Sequence, residues 1–135
     1  MTIDRTSLRW NGWGPAKQPD LLPEGAPQWE WMREALGLSR LPSTPAKPLA
    51  EIRLAPCRIG EETLARLRAI CGANQVRIDD YERAFHARGK SYHDLLHLRA
   101  GRLDMAPDAV VYPRSADETL AVVRLAAEEN IALIP

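Results

Sequence analysis

The chain has 135 residues, 45% of them hydrophobic, which is enough for one ordinary domain that buries about two-thirds of its unfolded surface. Its 18 Lys+Arg and 18 Asp+Glu cancel to a formal net charge of +0, so the electrostatic argument for nucleic acid fails and at most peripheral membrane contact is expected. Cys57 and Cys71 form no CxxC pair, no run approaches the ~18 apolar residues of a spanning helix, and Asp4, Arg5 and Arg9 interrupt any signal-peptide core; reduced thiols in a cytoplasmic protein are expected.

Residues 1–50 hold most of the prolines and all four tryptophans, Trp10, Trp13, Trp29 and Trp31. Dense proline removes backbone donors and helical dihedrals, so this stretch reads as an extended arm. One short helix interrupts it, "QWEWMREALG", with Trp29, Met32 and Leu36 on one face and Gly37 as its stop. An arm with no core of its own needs anchors, and the tryptophans are read as those anchors in preference to a partner-binding surface.

Residues 51–106 read as a helical segment. "IGEETLARLRAICG" places Leu64, Leu67, Ile70 and Cys71 on one face, Glu61 and Glu62 at the positive end of the helix dipole, and Gly72 at the close. "DDYERAFHARG" starts at an Asp cap, groups Tyr81, Ala84 and Phe85, and runs to Gly89. Ser91 and Asp94 make a capping box for "SYHDLLHLRAG", which ends at Gly101.

Residues 107–135 change rhythm. "DAVVY" is a β-branched run between Pro107 and Pro113, and Ser115 with Glu118 forms a second box that opens "SADETLAVVRLAAEEN" with its stripe Thr119, Val122, Val123 and Ala126. "IALIP" then reads as a second strand. A crossover of this length predicts two parallel neighbouring strands, a βαβ unit.

Chemistry-bearing patterns are sparse. "HDLLH" sets His93 and His97 at i and i+4 as zinc-binding HExxH does, but Asp94 is shorter than the Glu that must reach a metal-bound water, and a third ligand is wanting because His86 lies on another helix. The reading preferred makes Asp94 a capping carboxylate, and no metal ligand and no catalytic residue is assigned. Arg88, Lys90, Arg99, Arg102 and Arg114, interleaved with acids, read as a solvated face. No GxGxxG, P-loop or GxSxG occurs.

Three stretches taken in order, "WNGWG" (residues 10–14), "RGKSYHDLLHLRAG" (88–101) and "PDAVVYPRSADETLAVVRLAAEENIALIP" (107–135), resemble the amino-terminal part of the alkyldihydroxyacetonephosphate synthase (alkylglycerone-phosphate synthase) family. The resemblance extends to its bacterial FAD-linked oxidase relatives, flavoproteins of the vanillyl-alcohol-oxidase type. It implies an α/β fragment (α+β in content): a proline-rich arm, short helices, then the first βαβ unit of an FAD-binding domain at residues 107–135. It also implies that a glycine-rich pyrophosphate loop follows Pro135, so that only Ile134 and Pro135 match positions near the cofactor FAD. Partners implied are the remainder of the flavin domain and a substrate-binding cap domain, and a homodimer of the full-length enzyme is left open. The family makes ether lipids from an acyl-dihydroxyacetone phosphate and a fatty alcohol, while relatives oxidise hydroxy acids; the chain by itself is expected to be inactive. The rival reading is a self-sufficient helical module that binds a protein partner.

Overall fold

The computed structural model describes residues 7–17, 22–43 and 45–135. Among the described residues five α-helices and two short strands follow one another, with 3-10 turns at Leu49–Glu51 and Ala73–Gln75: α1 (Pro27–Ala35), α2 (Glu61–Cys71), β1 (Val76–Arg77), α3 (Asp80–Phe85), α4 (Tyr92–Arg99), β2 (Val110–Val111) and α5 (Ala116–Glu128). The result is mixed helix with a small two-stranded sheet. Residues 1–6, 18–21 and 44 of the expected arm, including the Asp4 and Arg5 used against a signal peptide, lie outside the described residues.

Local chemistry sets the helix starts. Asp79 accepts from the Glu82 backbone N–H at 3.2 Å to begin α3. The Ser91–Asp94 box is complete at α4, where the Ser91 side chain takes the Asp94 N–H and Asp94 returns to the Ser91 N–H. At α5, Ser115 accepts from the Glu118 N–H at 3.1 Å, but Glu118 reaches one residue further back and takes the Arg114 N–H at 2.7 Å. The close of α5 is made by Asn130 at φ 53, which lets the Ile131 N–H return to the Ala126 carbonyl at 2.8 Å.

Two buried clusters hold these elements together. Leu64, Leu67 and Cys71 of α2 pack with Val76 of β1 and with Val122 and Leu125 of α5. Outside that cluster Arg66 bridges Glu128 and Glu129 at 2.7 and 2.5 Å, and the Thr63 hydroxyl donates to Glu129. The second cluster joins the arm to the middle helices: Trp10, Ala84, Leu95, Leu98 and Leu103.

The tryptophans divide. Trp10 is buried, Trp29 half-buried, and Trp13 and Trp31 stand 62% and 68% exposed. "WNGWG" is the turn of a small hairpin closed by the Leu8–Pro15 bridge, with Gly14 at φ 72. Three bonds dock this hairpin on the α3–α4 region: Tyr81 Oη to the Leu8 carbonyl at 2.7 Å, Lys90 Nζ to the Trp10 carbonyl, and Trp13 Nε1 to the Lys90 carbonyl at 3.0 Å.

The sheet departs from the expected βαβ unit. β2 pairs with β1, antiparallel, with Val76 opposite Val111 and Arg77 opposite Val110. Residues 131–135 form no strand, and Ile134 is 93% exposed. The parallel partnership between the two apolar runs is therefore corrected. An apolar strand is stable only when layers cover both faces, and among the described residues nothing covers Ile134. "ANQVRI", by contrast, delivers Val76 directly from the α2 turn to the buried side of β2, so the nearer segment takes the edge.

Candidate functional site

The densest polar arrangement lies at the carboxyl end of β2. The Tyr112 N–H donates to the Gln75 carbonyl at 2.9 Å and so continues the β1–β2 ladder. Its phenol then reaches α3 and donates to Glu82 Oε2 at 2.6 Å, while His86 Nε2 stands 2.7 Å from the same phenol oxygen. A phenol has one proton; with that proton on Glu82, the His86 Nε2–H is the donor to Tyr112. Glu82 is 1% exposed and His86 opens to solvent, so the relay runs from a buried carboxylate outward to an imidazole.

Arg83, the next residue of α3, is equally enclosed. Its guanidinium donates to the Pro107 carbonyl at 2.8 Å and to the Ala55 carbonyl at 2.6 Å, two irregular segments with no ladder of their own there. Those segments are tied again by Cys57 Sγ to the Asp108 carbonyl at 3.2 Å and by the Arg58 N–H to Asp108 Oδ1 at 2.9 Å. Burying a charge is costly unless it is paired or hydrogen-bonded, and Arg83 gives donors of its planar fork to these two carbonyls while Nη1 stands 3.9 Å from Asp80 Oδ1. The result fixes the strand that feeds Val110, Val111 and Tyr112.

Lys90 is the second anchoring cation. Besides the Trp10 carbonyl, its ammonium sits 4.3 Å from the centroid of the Phe85 ring. Burial pushes its pKa below the ordinary lysine value, with Asp94 opposing the shift.

The sequence-assigned positions lie elsewhere. Ile134 and Pro135 sit exposed beyond α5, at the far end of that helix from Tyr112. In "HDLLH", His93 is exposed and stacks edge-on with Tyr92 at 6.3 Å, and His97 is half-buried with Nδ1 enclosed. Asp94 is occupied by the cap: Ser91 Oγ donates to its Oδ2 at 2.6 Å. Among the described residues no group of three or more His, Cys, Asp or Glu could hold a metal ion, and no helix is long and apolar enough to cross a membrane. Of the basic series, Arg88 pairs with Asp104 at 3.1 Å and Arg114 with Glu118 at 3.3 Å, while Lys90 is the half-buried anchor, so the series is not one solvated face.

Glu82, Arg83 and Tyr112 were not legible as a group. Charged residues beside the Tyr81, Ala84, Phe85 face read as its solvent side, and no spacing in the sequence links residue 82 to residue 112.

No protein-family model matches the chain. A curated relative, alkyldihydroxyacetonephosphate synthase of Trypanosoma brucei brucei, is 30% identical over 146 residues, which cover 95% of this chain and 24% of that protein. A solved structure of alkyldihydroxyacetonephosphate synthase superposes with a TM-score of 0.77 at 30% identity, over 96% of this chain and 28% of the other. A third relative, Protein Rv2250A of Mycobacterium tuberculosis (strain ATCC 25618 / H37Rv), is 29% identical over 106 residues, 78% of this chain and 69% of that protein, and is therefore a short polypeptide itself. The chain thus spans about a quarter of the length of the synthases it matches. In sequence and in fold, along nearly its whole length, the chain is homologous to the alkyldihydroxyacetonephosphate synthases.

Proposed function

We propose that the chain is the amino-terminal part of an FAD-dependent enzyme of the alkylglycerone-phosphate-synthase kind, acting in ether-lipid alkyl transfer or in a related flavin-linked oxidation, and that by itself it has no turnover. The observation that carries this reading is the agreement of sequence and fold over nearly the whole chain with about a quarter of a synthase. Residues 107–135 are then the opening of the flavin domain, with Ile134 and Pro135 leading toward the diphosphate.

The residues present do not by themselves fit FAD. A dinucleotide's diphosphate is held by free backbone N–H groups at a helix start or a glycine-rich turn. At the helix start that follows β2, Ser115 Oγ takes the Glu118 N–H and Glu118 takes the N–H of Arg114 just before the cap, and residues 112–119 contain no glycine to form a phosphate turn. Residues 131–135 contain no glycine. What this part supplies is scaffold: the Arg83 fork and the Tyr112–Glu82 bond set the strand end and the direction in which α5 leaves it.

Titration of FAD into the isolated chain, followed by flavin absorbance and by melting temperature, is expected to show neither a spectral shift nor stabilisation. Tight stoichiometric binding would contradict the assignment of a partial site. A second reading, an autonomous module that binds a protein partner, is favoured by one observation: the Mycobacterium relative is itself short. The DNA downstream of codon 135 separates the two, because an in-frame glycine-rich continuation supports the flavoenzyme, and a stop codon together with a well-folded monomer supports the module.

A further inference from the structure

Helix α5 has two apolar sides. Val122, Leu125 and Ala126 are buried, the first two in the cluster with α2. On another side, at i, i+4, i+7 and i+11, stand Ala116, Leu120, Val123 and Ala127, all exposed, Leu120 and Val123 at 47% each. No charge interrupts that second stripe; Asp117, Arg124 and Glu128 stand together on a third side. A helix apolar on two sides belongs between two layers, and here one layer is α2 while the residues of the other side stand exposed. The same surface continues past the Asn130 close, where Leu133 and Ile134 are also exposed. Nearby, β2 pairs with β1 alone among the described residues, so its second edge is open.

We propose that the outer stripe of α5, with Leu133 and Ile134, is an interaction surface, and that its occupant is the α/β polypeptide corresponding to the three-quarters of a synthase that this chain lacks. Docking of that polypeptide seats residues 131–134 as a strand, because it supplies the cover whose lack leaves them unpaired. The inference rests on the flavoenzyme reading. One observation selects the occupant: in the solved synthase the same fold is 28% of a longer chain. The chemistry of the stripe agrees, since an uncharged aliphatic surface suits a packed protein layer and offers nothing to a nucleic acid or a charged peptide.

The test is to co-express the tagged chain with the region of the Trypanosoma brucei brucei relative outside the 146 matched residues, and to measure capture and bound flavin. The expected result is a one-to-one complex in which residues 131–134 gain hydrogen-exchange protection. Leu120→Asp and Val123→Asp should each lower capture by more than about tenfold, since each buries an unpaired charge in the contact. Both positions are exposed, so the isolated variants should keep the parent melting temperature, and Arg124→Ala on the charged side should leave capture unchanged. Capture that survives both aspartates overturns the surface while leaving the flavoenzyme reading intact. A complex that forms, depends on Leu120 and Val123, and holds no FAD supports the surface and sinks the flavin reading. No complex, or a homodimer of the chain that the same aspartates dissolve, overturns the proposed occupant.

Discussion

The Tyr112 phenol donates a 2.6 Å hydrogen bond to Glu82, a carboxylate with 1% exposure, and so ties the residue after β2 to the middle of α3. Removing a donor from a buried acceptor costs about 1–3 kcal/mol, because the acceptor keeps its desolvation penalty. Tyr112→Phe is therefore expected to lower the unfolding free energy by that amount, read as a lower urea midpoint with little change in m-value. Glu82→Gln retains an acceptor for Tyr112 and should cost less. Equal stability of Tyr112→Phe and the parent would show that the bond contributes nothing net.

Arg83 should be more sensitive still. Arg83→Met keeps much of the side-chain volume but strips the donors from the Pro107 and Ala55 carbonyls, and a loss of about 3 kcal/mol or more is expected. Arg83→Lys should rescue only part of it, since an ammonium cannot reproduce the planar fork. Full rescue by lysine, read in chemical denaturation, would rule out the bidentate role.

Lys90 governs the arm. Lys90→Met removes the bond to the Trp10 carbonyl and the contact over Phe85, so Trp10 fluorescence should shift to the red and proteolysis within residues 7–17 should accelerate. The pH signature has a definite sign. Burial lowers the Lys90 pKa in the folded chain, so between that lowered value and the ordinary 10.5 the unfolded chain binds more protons and stability rises with pH. Lys90→Met should lose that rise, and a rise of undiminished slope would assign it to another group.

The α4 cap predicts a rise of the same sign in the acid range. The Ser91 hydroxyl and N–H hold the Asp94 carboxyl below its ordinary range. Its contribution is complete above the unfolded value of 3.8 and is lost as pH falls through the lower folded value. Asp94→Ala should lower the melting temperature at neutral pH and flatten the acid limb of the stability curve. An unchanged acid limb would show that the carboxylate cap does not drive it.

What was legible in the sequence was local. Asp79, Ser91 and Ser115 cap helices where their spacing predicts, because a side-chain oxygen and an N–H two or three residues on meet through a few fixed dihedrals. The α2 face is similarly visible, since Leu64, Leu67 and Cys71 share one side of any helix. Even local rules slipped where a neighbour competed: Glu118 serves Arg114 in place of Ser115, and α3 stops at Phe85, short of Gly89.

The sequence by itself determined where helices begin, which faces they bury and which family the chain resembles, all of it carried by residues a few positions apart or by ordered motifs. Only the tertiary structure decided that β2 takes Val76–Arg77 as its antiparallel partner and leaves residues 131–135 unpaired, and that Glu82 and Arg83 turn inward. Strand pairing and the burial of charge depend on which distant segments arrive with complementary edges and carbonyls, and that balance is struck between residues 24 or more apart, where no local pattern reaches.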